Sequence, residues 1–127
     1  MNTKKHMKKP KLFVVSWVLF PYDVLVCLGS KYEDITRYIG KLGYKLDSEE
    51  LEAIKMKGNG RTVILRGGQT ILWIRDYPKV GSSIIAHEVF HAVSFMLDRA
   101  GVKLSFDSDE LYAYATAYLT KEINEKI

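Results

Sequence analysis

Apolar residues crowd two short stretches near the start of the chain, 12–20 and 23–28, both rich in Val, Leu, Phe and Trp. Pro21-Tyr22-Asp23 separates them, so the pattern predicts two strands joined by a turn. The period then lengthens. Tyr32, Ile35, Ile39 and Leu42 recur at helical spacing behind Ser30-Lys31-Tyr32-Glu33, which has the form of a capping box, and the predicted helix ends near Gly43. Asp47-Ser48-Glu49-Glu50 has the same form and predicts a short second helix through Met56, stopped by Gly58-Asn59-Gly60.

Farther on, the runs Arg61 to Arg66 and Gln69 to Arg75 flank Gly67-Gly68, a pair that takes the positive φ of a tight turn at both positions without steric cost; this predicts a hairpin. Asp76-Tyr77-Pro78 ends its second strand. Ser82 or Ser83 then caps a long helix from about Ile84 to Arg99, with Gly101 just past its end, and a last helix runs from about Ser108 to Lys121 or beyond. No internal repeat is visible. The elements predict an α+β fold: a small mixed or antiparallel sheet built from hairpins, with the two C-terminal helices packed on one face.

At 127 residues the chain has room for one domain, read as 12–127 behind a basic tail at 1–11. The formal charge of +4 changes meaning once it is located. Lys4, Lys5, Lys8, Lys9 and Lys11 all precede the first acidic residue, and setting them aside leaves 14 basic against 15 acidic residues. The folded part is near neutral, so no nucleic-acid partner is expected. The basic start and the apolar run after it resemble a signal peptide, but Pro21 and Asp23 interrupt the run and no Ala-x-Ala-like site follows. The run is also too short for a membrane span, and the single Cys27 permits no internal disulfide. A cytoplasmic protein with no membrane partner is expected.

The candidate chemistry lies in His87-Glu88-Val89-Phe90-His91, inside the predicted helix that begins near Ile84. Residues four apart share a helix face, so both imidazoles can turn toward one Zn2+ ion, while Glu88 stands beside the metal's open position as a base and not a ligand. A pair of core histidines bonded to carbonyls is the structural alternative. The one other histidine, His6, lies in the tail, so the third ligand should be a carboxylate. Glu110 is the best placed, with Asp107 and Asp109 in reserve, and Ala113 and Ala117 on its side of the helix would let the two helices approach closely. Asp107-Ser108-Asp109-Glu110 is also a capping-box pattern, which would take Glu110 away from a metal. Tyr114, one turn after Glu110, is the first candidate donor to a developing oxyanion; Tyr77 and Tyr112 are alternatives. A peptide substrate could add as a strand beside residues 69–75 if that edge is open, and Trp73 reads as core.

His87-Glu88-Val89-Phe90-His91 followed by Glu110 resembles the zincins, and among them the glutamate-ligand branch, the gluzincins. With a hairpin before the motif helix and one helix after it, the region from about Gln69 onward looks like the minimal zincins, including small peptidase-like proteins carried by bacteriophages and prophages. The resemblance implies zinc on His87, His91 and Glu110, with Glu88 as general base. Larger gluzincins add lobes that form a cleft, for which this chain has no length. The expected function is therefore a zinc metallopeptidase, a hydrolase of narrow specificity; the alternative is a non-catalytic, zinc-stabilised binding or regulatory module, in keeping with a phage protein.

Overall fold

A computed structural model describes residues 10–18, 20–55, 57–75 and 81–127. Most of the predicted tail, and the segment Asp76-Tyr77-Pro78 with its candidate Tyr77, lie outside those residues. The elements follow in the order β1 (Lys11–Ser16), β2 (Asp23–Leu28), α1 (Tyr32–Lys41), α2 (Ser48–Ile54), β3 (Gly60–Ile64), β4 (Thr70–Ile74), α3 (Gly81–Arg99) and α4 (Asp109–Lys126). The fold is α+β with a mixed sheet in the order β1-β2-β4-β3. Lys11 opens β1 and pairs with Leu28, so the sheet begins one residue inside the stretch read as tail.

Alternation along the strands makes the sheet two-faced. Val24, Val26, Leu28, Leu72 and Ile74 point to one face, where they pack on α3 and α4 through Val89, Val93, Met96, Leu97, Leu119 and Ile123. Leu25, Cys27, Ile71 and Trp73 point to the other, under Ile35 and Ile39 of α1 and Ile54 of α2. Trp73 is core, its indole N–H donating to the Ser30 carbonyl at 2.8 Å. Burial pushes the Cys27 thiol far up, so it stays a neutral thiol packed in this face.

β4 is the centre of the arrangement. It pairs parallel with β2 from Val24↔Thr70 to Leu28↔Ile74, and antiparallel with β3 from Gly60↔Ile74 to Ile64↔Thr70. With partners on both sides, 70–74 has no free edge, contrary to the expectation that a peptide could add there. Among the described residues, β3 is the sheet's edge strand beside α3.

The two capping patterns behave differently. At Asp47 the box closes: the Glu50 amide donates to Asp47 Oδ1 at 2.8 Å, and the Asp47 amide donates back to Glu50 Oε1 at 3.2 Å. At Ser30 it does not form. The N-cap of α1 is Lys31, without a side-chain cap, because Ser30 is buried and its hydroxyl donates to the Lys11 carbonyl at 3.4 Å. In the β3–β4 turn only Gly68 has positive φ, at +97°, where both glycines were expected to. Its amide donates to the Leu65 carbonyl at 2.9 Å and Leu65 donates to Gln69 at 2.8 Å, the pattern of a three-residue loop with one left-handed residue. A Cβ at Gly68 would also meet the Tyr22 ring at 2.7 Å.

α3 begins at Gly81, so Ser83 lies inside the helix. Its C-terminus closes as a Schellman motif: Gly101 donates to Asp98 at 3.0 Å and Val102 to Leu97 at 2.8 Å. No helix among the described residues is long and apolar enough to cross a membrane.

Candidate metal centre

His87 and His91 sit on the side of α3 turned away from the sheet, His87 exposed and His91 half-buried, while Val89 and Val93 between and beyond them enter the core. The helix brings the two rings together. Their Nε2 atoms are 3.2 Å apart, and the rings meet edge to face with centroids 4.8 Å apart. Two nitrogens bound to one tetrahedral zinc at about 2.0–2.1 Å stand roughly 3.3–3.4 Å from each other. The pair therefore has the spacing that one ion requires, and among the described residues neither ring is bonded to a main-chain carbonyl, the arrangement of the core-histidine alternative. Phe95 stacks on His91 from one turn below, with ring centroids 6.1 Å apart and planes 23° apart, which limits the rotation of that ring.

Glu88 points elsewhere. Only 5% exposed, it lies against β3, where the Thr62 hydroxyl donates to its Oε1. Its Oε2 and Cγ fill the space a side chain at Gly60 would occupy: a Cβ there would stand 2.7 Å from Oε2 and 2.9 Å from Cγ. The carboxylate is thus held where the motif helix meets the open strand. Sequence reading missed Gly60 and Thr62. In the sequence Gly60 reads as punctuation after α2; the only signal of its role is that glycine in a strand can mark a close approach from one face.

The start of α4 differs from expectation in register and in facing. Its N-cap is Ser108, so Glu110 is the second helical residue, and the box that would join it to Asp107 does not form. The Ser108 hydroxyl instead donates to the Lys103 carbonyl and accepts from the Ser105 amide at 3.0 Å. Glu110 is exposed and free of a capping role. Ala113 and Ala117 are exposed with it, and the face packed into the core is Tyr112, Ala115, Leu119 and Ile123; the two alanines expected at the helix contact are not there. Asp107 and Asp109 are exposed as well. Among the described residues no three His, Cys, Asp or Glu side chains are grouped to hold a metal ion, so the structure brings His87 and His91 together but not Glu110 with them.

The tyrosines divide. Tyr112 is buried and its phenol donates to the Val102 carbonyl at 3.1 Å, which commits it to fixing the α3–α4 loop. Tyr114 is 70% exposed and lines an apolar cavity of about 180 Å³ with Trp17, Phe20 and Met96, a cavity whose walls include neither histidine. Compared with known proteins, the chain matches no family model, no curated protein and no solved structure.

Proposed function

We propose that the chain is a zinc-dependent peptidase of narrow specificity. The observation that carries this reading is the 3.2 Å approach of the His87 and His91 Nε2 atoms on one face of α3, with the carboxylate of the intervening Glu88 fixed at the adjoining strand edge. His87 and His91 would be the first two ligands; Glu110, exposed and uncommitted but not grouped with them among the described residues, would have to be drawn to the ion to serve as the third, with Asp107 and Asp109 in the same loop and turn. Zinc bound there would supply Lewis acidity, lowering the pKa of a water toward neutrality.

The protein's own residues then have separate tasks. Phe95 and the helix backbone hold the imidazoles in place. Glu88 would take a proton from the attacking water and return it to the leaving amine, the work of a positioned carboxylate. The free edge of β3 offers main-chain donors and acceptors to an extended peptide, so the strand that takes the substrate is 60–64 and not 69–75. Tyr114 enters only if a substrate reaches across from its cavity, and the oxyanion donor is better sought among main-chain amides along β3.

The test uses untagged, zinc-loaded protein and a proteome-derived peptide mixture, with new peptide termini read by mass spectrometry. Wild type should cut a small number of sequences, and Glu88→Gln should keep its zinc and cut at least about 100-fold more slowly. The glutamine retains an acceptor for Thr62, so the fold is preserved. Equal cutting by the two forms would remove Glu88 from the mechanism. Zinc binding with no cutting by either would favour the non-catalytic module.

A further inference from the structure

The position of the Glu88 carboxylate depends on two residues of β3 that lie outside the motif and 26 to 28 positions before it in the chain. Gly60 and Thr62 are two apart on one strand, so they project toward the same face, the one covered by α3. Thr62 supplies the hydroxyl that donates to Oε1, and the Thr62 Oγ1 also lies 3.3 Å from the Glu88 main-chain carbonyl, so one hydroxyl touches both the side chain and its own turn of helix. Gly60 supplies room. With any Cβ at position 60 within 2.7 Å of Oε2 and 3.1 Å of Cδ, a side chain there and the present Glu88 conformer exclude each other.

We infer that Gly60 and Thr62 are positioning residues that fix the Glu88 carboxylate between α3 and β3, the edge strand along which a pairing peptide would lie. This rests on the reading of Glu88 as the proton acceptor. A carboxylate buried to this degree requires a hydrogen-bond donor, and without one it would gain by swinging toward water. The same contacts could serve only to strap α3 onto β3, and the two roles separate in kinetics. A strap changes stability; a positioning pair changes turnover at constant substrate affinity.

The measurement uses the full chain loaded with zinc and a fluorogenic peptide built on a sequence cut by wild type in the peptide mixture. Thr62→Val keeps the shape of the side chain and removes the donor; kcat should fall about 100-fold with KM and zinc content unchanged, as expected for a reacting group displaced by about 1 Å. Thr62→Ser restores the donor and should recover most of the loss. Gly60→Ala should behave as Thr62→Val does, and carries the test if the valine variant does not fold. Crystal structures of the same proteins give a readout independent of activity: the Glu88 carboxylate should leave β3 in Thr62→Val and remain in Thr62→Ser. An unmoved carboxylate in Thr62→Val, or an unchanged kcat, overturns the inference. If wild type cuts nothing while the carboxylate moves as described, the peptidase reading fails and the positioning role stands.

Discussion

The face of the sheet under α1 and α2 and the face under α3 and α4 treat their carboxylates in opposite ways. On the first, Asp47, Glu49 and Glu50 are gathered around Arg66: its Nε lies 2.7 Å from Asp47, its Nη2 lies 2.9 Å from Glu49, and its amide donates to Glu50 at 3.1 Å. Asp47 and Glu49 are exposed and ion-paired, and Asp47 with the half-buried Glu50 closes the helix cap. Arg66 in turn accepts from Arg99 through its carbonyl at 2.7 Å, which ties the hairpin turn to the end of α3. On the second face Glu88 is buried, forms no ion pair among the described residues, and is held by one hydroxyl and a gap left by a glycine. Charges kept in water cost little and contribute modestly. A carboxylate kept out of water without a cation is expensive, and groups retained at such a cost concentrate at functional sites.

If that contrast is correct, damage to the two faces should have separable effects. The largest is on the structural side. Ile71 is fully packed beneath α1 and α2, so Ile71→Ala should cost about 2–5 kcal/mol in denaturant unfolding and leave zinc stoichiometry unchanged in the folded fraction. Loss of zinc without loss of stability would break the comparison. A smaller effect is expected from His91→Ala in the absence of metal, because the ring is half-buried on the side of α3 away from the sheet; unfolding should move by no more than about 0.5 kcal/mol. A large loss there would mean that the imidazole is structural.

The smallest effect concerns pH. The Glu50 amide first, and Arg66 beside it, hold the Asp47 carboxyl below the usual aspartate range. Its contribution to stability is therefore present above the ordinary aspartate pKa and is lost as pH falls through the lowered folded value. Asp47→Asn keeps a cap acceptor and drops the charge. The stability gap between wild type and this variant, followed by urea unfolding over an acid series, should be open near neutrality and close as the pH falls. A gap that widens in acid would contradict the assignment.

Much of the fold was legible in the sequence because its signals are local. The two-glycine turn, the Asp47 box and the Gly101 stop each act within a few residues, and the His87/His91 pair is legible for the same reason: spacing of four on a helix fixes it. Identical local patterns still diverged when a distant partner intervened. Ser30 and Asp47 begin matching boxes, but only the exposed one closes, since Ser30 is drawn to a carbonyl of β1. The insertion of β4 between β2 and β3 is a long-range pairing that alternation along any one strand does not encode. The Gly60 and Thr62 contacts to Glu88 are hidden for the same reason. Glu110 is suggested by its place after the turn that precedes α4; Ala113 and Ala117 do share its side of the helix, but which side packs on α3 is set by the core contacts of Tyr112, Ala115, Leu119 and Ile123, which local pattern does not reveal.

The account stands on two imidazole nitrogens close enough to share an ion, and metal content measures this most directly. Protein purified without a polyhistidine tag, equilibrated with zinc and freed of excess, should hold one zinc per chain by elemental analysis, and His91→Ala should hold none. A wild-type chain that retains no zinc under those conditions, or a His91→Ala variant that retains as much as wild type, would contradict it.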